Sequence, residues 1–596
     1  MSKKFFKLGW IVLAALLMVA LIALPACTAP PAEQQEEEEE EEEISIPFKN
    51  PDTFIEMTIG DAECLDPAWG YDTASGQQTT LIYQTLVWWD GTSSDVVPVL
   101  CTDYELLPDG VTYRFTIREG VKFHDGGDLT PEDVEYSFER ALVQDRSGGP
   151  VWMLDEELLG VYYSPDAGFA AIDAAIEVDG GDVVITLADP AWAIPFLQVA
   201  CGPWCSIVDK EWCVANGEWD GTEETWMDFH DPEAGTSYLW DEANGTGPWE
   251  LEYWDRGIET SLVRFDDYWG DPVDFERVIT KKVEEWTTRK LAFLAGDCDL
   301  AYVPLTYIDE MEGIDDIQLI KDLPNLTFDA FFMTFDIDPT SDFIGSGLLD
   351  GEGIPLDFFS DIDVRKGMNY AFDWDVYIAD GMSGEGEQRG SPVIDGLTFY
   401  NPNAKMYSKD FDKATEHFQA AWGGLLWDTG FKFTLLYNSG NIARKTACSI
   451  LAENLYLINP LFQVSLQPAD WGTVMVPNLV TQKMPMFQIG WMADYPDPDN
   501  FVFPFMHSAG TFSHFQAYNN PEVDALIEAG KLELDTAARE AIYLDLQDWY
   551  YDDAPGIALA QPFARKYFTK YISGFYYNPM NPVYPGPLWE MSKSES

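Results

Sequence analysis

Apolar strand patterns alternate with helix patterns along this chain, and this alternation constrains its fold more than any other feature. Residues 111–117 alternate apolar and polar side chains with a period of two, as a half-buried strand does. A helix start follows, with Thr130 as the N-cap and Pro131 at the first helical position. Further along, a strand pattern at 431–436 precedes a helix pattern near 443–457. Such alternation predicts the α/β class.

The length and charge of the chain limit its architecture and partners. A chain of 596 residues is too long for one hydrophobic core, so it must contain several units. Its 103 acidic and 34 basic residues give a formal charge of -69, which repels nucleic acid and anionic membrane surfaces. We therefore exclude both as partners of the folded body. The acidity is typical of a salt-rich habitat or of a solvated exterior, and neither identifies a ligand.

The first residues predict export. Three lysines precede an apolar run over 8–24, which is short for a membrane span and typical of an export signal. Leu24-Pro25-Ala26-Cys27 resembles the lipobox of bacterial lipoproteins, which implies cleavage before Cys27 and its acylation. An ordinary signal peptide with a chance cysteine, or an uncleaved anchor, is the alternative. We predict that residues 1–26 are a lipoprotein signal peptide and that the protein is extracytoplasmic, anchored to the outer face of the cytoplasmic membrane.

An acidic flexible linker is predicted over residues 27–50. Glu36–Glu43 is an unbroken run of glutamates, and like charges at successive positions repel and extend the chain. Such a spacer would lift the folded body off the membrane.

The remaining cysteines raise the question of disulfides. Seven of the eight cysteines follow Cys27, and disulfides are permitted outside the cytoplasm. The stretch Cys201-Gly-Pro-Trp-Cys205, with Cys213 nearby, is where we expect one. The odd number leaves at least one thiol free and buried. A metal cluster is the alternative, but no histidine lies near and the spacing is not that of a zinc site, so no metal site is predicted.

One stretch combines aromatic and acidic residues at the end of a strand. The strand pattern 486–490 leads into Trp491, Asp494 and Tyr495, and the prolines that follow lack an N–H and turn the chain. Ligand sites in α/β sheets form at such strand ends. A carboxylate beside aromatic faces suits a cationic or ammonium-bearing ligand. A surface turn with Asp494 as an Asx cap is the alternative on local sequence.

Several motifs, in the same order, resemble those of one family. Residues 82–87, 109–126 and 129–138 are similar to the N-terminal signature of extracytoplasmic solute-binding proteins of family 5, which serve peptide, oligopeptide and nickel ATP-binding-cassette (ABC) importers. Further similar motifs follow at 245–249, 267–270, 294–300, 363–373, 470–471 and in the stretch around Asp494. The resemblance extends from about Met57 to the C-terminus. It implies a two-lobed periplasmic-binding-protein-like fold, with a hinge and a ligand cleft between the lobes.

The resemblance also implies how the lobes divide the chain. Lobe I would comprise residues 51–328 and a C-terminal return at 562–596, and lobe II would be the insertion 329–561. We expect the crossings between the lobes near 326–335 and 561–567, where the sequence is apolar and strand-like.

The implied function is ligand capture for transport. The protein would be a monomeric, lipid-anchored substrate-binding component, without a cofactor, that delivers a peptide or small solute to an ABC permease and its ATPase. In peptide-binding relatives the acid of the W-x-x-D stretch pairs with the α-ammonium of the ligand. This maps onto Asp494, with Trp491 and Tyr495 as pocket walls and Tyr71 lining the cleft from lobe I.

One departure from the family pattern bears on the ligand. Dipeptide-binding relatives carry an arginine for the ligand carboxylate, in the turn before a lobe II helix. The corresponding turn, 436–441, has no arginine, and Arg444 falls later, within the helix. This favours oligopeptides or another amine-bearing solute over a strict dipeptide.

Motifs for catalysis are missing from the sequence. It contains no G-x-x-x-x-G-K-[ST] and no H-E-x-x-H, and the stretch 381–384 does not have the spacing of a nucleophile elbow. We therefore predict binding without catalysis. A secreted lipoprotein hydrolase that uses paired carboxylates, or a metal- or chelate-binding protein of the same fold, is the alternative.

Overall fold

The computed structural model describes residues 45–93, 95–147, 149–323, 325–439, 441–469, 474–580 and 586–595. The predicted signal peptide 1–26, Cys27, the glutamate run and the motif Asp470-Trp471 lie outside the described residues. None of the helices in the described ranges has the length and apolar character needed to cross a membrane.

Strands and helices alternate through the body, as the sequence predicts. The strands in chain order are β1 Thr53–Thr58, β2 Val87–Trp89, β3 Val96–Pro98, β4 Cys101–Leu106, β5 Thr112–Ile117, β6 Ile176–Asp179, β7 Asp182–Thr186, β8 Trp249–Asp255, β9 Glu259–Arg264, β10 Arg277–Lys282, β11 Leu300–Ala301, β12 Ile317–Leu323, β13 Thr327–Met333, β14 Gly386–Gln388, β15 Phe431–Asn438, β16 Phe462–Ala469, β17 Met486–Met492, β18 Gly556–Pro562, β19 Ala564–Thr569, β20 Ile572–Ser573 and β21 Ser592–Lys593. The α-helices of six or more residues are α1 Thr73–Ile82, α2 Pro131–Gln144, α3 Phe169–Ala175, α4 Ala193–Val199, α5 Lys210–Ala215, α6 Trp286–Leu294, α7 Ile362–Ala371, α8 Phe411–Ala420, α9 Ile442–Ile458, α10 Asp499–Met506, α11 Thr511–Gln516, α12 Pro521–Leu532 and α13 Thr536–Asp553.

The strands form two groups of sheets. A seven-stranded mixed sheet has the order β12-β19-β11-β1-β10-β9-β8, and an antiparallel sheet β4-β5-β7-β6 belongs to the same part of the chain. The antiparallel sheet β14-β18-β13-β17 and the parallel pair β15-β16 form the second group. We refer to the part built on the first group as lobe I and to the part built on the second as lobe II.

The chain passes between the two groups of sheets through two adjacent connections. β12 lies in the seven-stranded sheet, and β13, the next strand, lies in lobe II. β18 lies in lobe II beside β13, and β19, the next strand, pairs with β12 in lobe I. The connections at 323–327 and 562–564 lie close to the crossings expected near 326–335 and 561–567, and together they form a two-stranded hinge.

Local signals in the sequence correspond to observed elements. Helix α2 begins at Pro131, and the backbone N–H of Thr130 donates to the Asp133 carboxylate at 2.8 Å, so the first turn is capped. In β5 the side chains of Tyr113, Phe115 and Ile117 are buried, which follows the predicted alternation.

Residues 45–50 pack on the folded body, so the predicted linker 27–50 extends too far. The backbone N–H of Ile46 donates to the Asp316 carboxylate at 2.7 Å, and the Ile46 side chain is fully buried. The ring of Phe48 lies 5.0 Å from that of Tyr571, centroid to centroid. Apolar side chains within the acidic stretch explain the difference, because their burial stabilises an ordered conformation.

The cysteines in the described ranges are all free and buried, so the expected disulfide at Cys201 and Cys205 is absent from the structure. The thiol of Cys201 points back along helix α4 and donates to the Leu197 carbonyl at 3.3 Å. Cys205 ends a separate 3-10 turn. Burial raises the pKa of both thiols, which leaves them unreactive.

A buried ion triad fixes the segment that leads to the predicted site. Arg140 of α2 donates to both oxygens of Asp66, at 2.9 and 2.6 Å, and its Nη2 lies 2.7 Å from Glu218. All three side chains are almost completely buried. Because Asp66 begins the turn that carries Tyr71, the triad holds this turn against helix α2.

Removing the cation of this triad should destabilise the fold strongly. Arg140→Met leaves two buried carboxylates without their partner, and we expect a loss of about 3–5 kcal/mol in the free energy of unfolding. Urea denaturation followed by tryptophan fluorescence measures this loss. Arg114→Met, which removes the more exposed pairs with Asp179 and Asp182, is the control and should cost at most about 1 kcal/mol. Equal losses in the two variants would contradict the role of the triad.

Candidate ligand-binding site

Asp494 lies just beyond the end of strand β17 of lobe II, in contact with lobe I. Strand β17 ends at Met492, and the N–H of Ala493 still donates to the Leu326 carbonyl of the crossing segment at 2.8 Å. The next carboxylate, that of Asp494, accepts a hydrogen bond from the Tyr71 hydroxyl of lobe I at 2.8 Å. The structure thus brings together two of the four predicted site residues, one from each lobe.

Asn500 holds Asp494 and Trp491 in place. Its side-chain N–H₂ donates to the Asp494 carboxylate at 3.1 Å, and its side-chain oxygen accepts from the Asp494 backbone N–H at 2.9 Å. The same oxygen accepts from the indole N–H of Trp491 at 3.1 Å. Asn500 is fully buried in the first turn of α10. Sequence analysis missed this residue, although it lies in the same stretch as Asp494.

Trp152 connects to the site from lobe I. Its indole N–H donates to the Tyr71 hydroxyl at 3.3 Å, while that hydroxyl donates to Asp494. Tyr71 itself precedes helix α1, whose first N–H groups are capped by the Asp72 carboxylate. No sequence signal indicated Trp152, because it is distant from Tyr71 in the chain and belongs to no recognised motif.

Tyr495 points away from Asp494. Its side chain is only 2% exposed and its hydroxyl faces the Asp499 carboxylate at 3.4 Å. The two neighbours lie in a bend beyond the end of β17, and their side chains have different partners. The structure therefore places Tyr495 in the core, where the sequence predicted a pocket wall. Trp491 is partly buried and its ring packs edge-on against Phe512, with the centroids 5.5 Å apart.

The Asp494 carboxyl group has a raised pKa. Burial raises its pKa from the ordinary 3.8 to about 6, and the hydrogen bonds from Asn500 and Tyr71 oppose this rise. Both of these donors are neutral. A desolvated carboxylate held by neutral donors is stabilised further by any cation that reaches it.

A cavity of about 490 Å³ lies beside the crossing strands. None of the four predicted site residues lines it, and the residues that do line it all fall within 51–328 and 562–596. Thr73 and Ala74, which line it, follow Tyr71, and Asn325, which also lines it, precedes the Leu326 that pairs with Ala493. Other residues that line the cavity include Glu56, Thr58, Asp61, Gln77, Tyr302, Phe563, Arg565 and Lys566.

The cavity wall carries charges of both signs. The Glu56 carboxylate accepts a hydrogen bond from the Gln77 amide, and burial raises its pKa while Lys566 opposes the rise. Burial lowers the pKa of Lys566, and Glu56 opposes this shift. Such a wall offers both donors and acceptors to a ligand with amide groups.

Arg444 is held inside lobe II. Its guanidinium donates to the Asn438 side chain at 3.0 Å, and burial lowers its pKa while the nearby Asp329 opposes this shift. The arginine therefore already has partners within its own lobe.

The described residues do not form a metal-binding site. Within the residues that the structure describes, no group of three or more His, Cys, Asp or Glu side chains could hold a metal ion. The ring of His124, which lies in the family signature, contacts the Gly247 carbonyl at 3.0 Å and packs against Phe265. Its role is structural.

Two α/β lobes joined by paired crossing strands, with a desolvated carboxylate where they meet, define the class of two-lobed solute-binding proteins. The chain belongs to the bacterial extracellular solute-binding proteins, family 5, whose middle region matches residues 95–513. It is a binding protein and not an enzyme.

Curated relatives match nearly the whole chain. The probable D,D-dipeptide-binding periplasmic protein DdpA of Escherichia coli is 25% identical over 546 residues, which cover 89% of this chain and 92% of the relative. The oligopeptide-binding protein OppA of Bacillus subtilis is 23% identical over 509 residues, covering 82% and 84%.

Solved structures share the fold. The periplasmic binding protein DppA of Helicobacter pylori, in complex with a peptide, superposes with a TM-score of 0.72 at 22% identity, covering 91% of this chain and 98% of the other. The oligopeptide-binding protein AppA of Bacillus subtilis, in complex with a nonapeptide, gives 0.71 at 19% identity, covering 92% and 100%.

The raised pKa of Asp494 predicts a pH-dependent stability difference. Because its pKa is higher in the folded protein, Asp494 favours folding at low pH, and this contribution is lost as pH rises through about 6. Asp494→Asn stays neutral at every pH. Relative to the wild type, its free energy of unfolding should therefore rise between about pH 4 and pH 7, by up to about 3 kcal/mol.

Urea denaturation across this pH range measures the difference. Asp109→Asn is the control, since the Thr112 hydroxyl lowers the pKa of Asp109 and the difference should have the opposite sign. A pH-independent difference for Asp494→Asn would show that its carboxyl group titrates normally.

Proposed function

We propose that this protein is the substrate-binding component of an ABC importer. It captures peptides, in particular oligopeptides, or a related amine-bearing solute, and delivers them to a membrane permease. The observation that carries the proposal is the Asp494 carboxylate, which is desolvated where the lobes meet and is held by neutral donors from both lobes. Relatives and solved structures whose names specify di- and oligopeptides support a peptide ligand.

Asp494 is the partner of the ligand's α-ammonium group. The ammonium would add a third, charged donor to a carboxylate that Tyr71 and Asn500 already orient. Its charge compensates for the desolvation that raises the pKa of Asp494, so the ion pair is stronger here than in water. Trp491 lies beside the pair and narrows the space around it.

Closure of the lobes about the two crossing strands completes the site. Tyr71 comes from lobe I and Asp494 from lobe II, so a ligand that contacts both favours the closed arrangement. Backbone amides of the ligand face the polar wall formed by Glu56, Gln77 and Lys566. Recognition of the backbone gives affinity with little dependence on side chains.

The engagement of Arg444 supports oligopeptides over dipeptides. Its guanidinium is directed to Asn438 and lies near Asp329, both within lobe II. A ligand carboxylate would have to compete with these partners. A longer peptide can extend past this point and leave its C-terminus without a fixed partner.

We further propose the division of the chain and its location. Lobe I comprises 51–328 and 562–596, and lobe II comprises 329–561, boundaries that lie close to the two crossings. The protein acts as a monomer held at the outer face of the cytoplasmic membrane by a lipid on Cys27. The lipobox-like stretch 24–27 and the preceding apolar run support the anchor.

The ammonium pairing can be tested by ligand chemistry and mutation together. Mass spectrometry of the molecules that co-purify with the protein supplies the peptides, and titration calorimetry measures their affinity. We expect Asp494→Asn to weaken binding by about 1.5–3 kcal/mol, the range for a charged hydrogen bond.

An N-acetylated copy of the same peptide is the matched control. It lacks the ammonium group, so it should bind the wild type weakly and lose little more in Asp494→Asn. Unchanged affinity of the free peptide for the variant would contradict the role of Asp494. Co-purification of only non-peptide molecules, with no peptide binding, would contradict the proposed ligand class.

Lipid anchoring depends on Cys27. We expect the full-length protein to partition into the detergent phase, and Cys27→Ser to partition into the aqueous phase, because its serine cannot be acylated by the lipoprotein pathway. Thr28→Ser is the control and should behave as the wild type. Equal detergent partitioning of Cys27→Ser and the wild type would show that another segment anchors the protein.

A further inference from the structure

A second contact between the lobes involves helix α10, which also carries Asn500 of the candidate site. Lys531 of α12, in lobe II, forms an ion pair with Glu156 of a π-helix, Asp155–Leu159, in lobe I. The two side chains are 4% and 9% exposed, so both charged groups are desolvated. A buried pair of this kind is costly to form and costly to break on one side.

Aromatic rings from both lobes enclose the ammonium group. The Nζ of Lys531 lies 4.9 Å from the ring centroids of Trp192 and Phe503 and 5.8 Å from that of Tyr162. Tyr162 of lobe I stacks on Phe503 of lobe II with centroids 5.7 Å apart. The rings exclude water and add cation–π attraction.

Carboxylates from both lobes converge on this one ammonium group. Glu157 of lobe I and Asp499 of lobe II are both buried, and each has an oxygen without a hydrogen-bond partner. Glu528, also of lobe II, accepts a hydrogen bond from Tyr162 at 3.3 Å. Burial raises the pKa of Glu156, Glu157 and Asp499, and Lys531 opposes each rise. Without Lys531, Glu156 of lobe I would face the acids of lobe II with no positive charge between them.

The same residues border the ligand site. Asp499 begins helix α10, and its neighbour Asn500 holds Asp494. Trp152, which donates to Tyr71, also stacks on Phe503 with centroids 6.3 Å apart. The geometry around Lys531 is therefore linked to both partners of the contact between Asp494 and Tyr71.

We propose that Lys531 is an interlobe clasp: it neutralises carboxylates that the two lobes bring together, holds the lobes in contact before a ligand arrives, and so positions Asp494 against Tyr71. Lys531 does not touch the ligand. It acts through Glu156 and helix α10. The effect on ligand affinity rests on the proposed function, whereas the effect on lobe contact does not.

Small-angle X-ray scattering of the ligand-free protein tests the clasp directly. We expect the wild type to scatter as the closed arrangement and Lys531→Met to show a larger radius of gyration, because the facing acids lose their counter-ion. Lys531→Met combined with Glu156→Gln removes the acid as well, and should recover a radius close to that of the wild type. This recovery would not occur if Lys531 merely filled space.

Peptide affinity gives the second readout. Lys531→Met should bind a co-purifying peptide about ten-fold more weakly, since part of the binding energy must then close the lobes. The double variant should regain most of the lost peptide affinity.

Lys593→Met is the matched control. Lys593 pairs with Asp299 at 2.8 Å inside lobe I, with side chains 3% and 4% exposed. Its removal should lower the free energy of unfolding without changing the radius of gyration or the peptide affinity.

The outcomes separate the clasp from the proposed function. A ligand-free Lys531→Met protein with the radius of the wild type would overturn the clasp, even if peptides bind. An increased radius that Glu156→Gln reverses would support it, even if no peptide binds and the proposed ligand is wrong. A similar increase in Lys593→Met would overturn it, since any lost buried pair would then open the protein.

Discussion

The arrangement of the two lobes depends on two short backbone connections that lie side by side. β12 continues into β13 and β18 into β19, and at these two points the main chain crosses between the lobe sheets. Because the connections are adjacent, the lobes can rotate about them. The cavity lies against these strands, and all of its lining residues fall within 51–328 and 562–596. The contact between Asp494 and Tyr71, in contrast, joins the two lobes, so it depends on the closed arrangement.

The chemistry of the site depends on how few charges this very acidic chain buries. Most of its 103 acidic residues contribute to a net charge of -69 that keeps the exterior solvated. Several of the acids that are wholly or partly buried have specific neighbours. Asp66 and Glu218 share Arg140, Glu156 has Lys531, and Asp494 has the neutral donors Tyr71 and Asn500. Among these, Asp494 is the carboxylate whose hydrogen-bond partners bring no compensating charge, which fits a group that meets its cation in a ligand.

Features determined by neighbouring residues could be predicted from the sequence, and features determined by distant contacts could not. The start of α2 at Pro131 and the strand-like crossings follow from local capping and from apolar patterns. The family motifs indicated the two-lobed fold and drew attention to Asp494. In contrast, Trp152 reaches Tyr71 and Lys531 reaches Glu156 across long stretches of chain, and no local pattern encodes those contacts. The sequence motif placed Tyr495 in the pocket wall, but the chain bends after β17 and the Tyr495 hydroxyl faces Asp499 in the core.

The docking of residues 45–50 determines where a mechanical load would enter the protein. Ile46 is bound to Asp316, and Phe48 packs on Tyr571, so this segment is attached to lobe I alone. A tether that pulls on the chain ahead of Ser45 would transmit its force to lobe I, and lobe II would carry none of it. Thermal motion of the tether would then do no work on the hinge. A protein loaded at this point can open and close as freely as one in solution, because the load does not pass through the hinge.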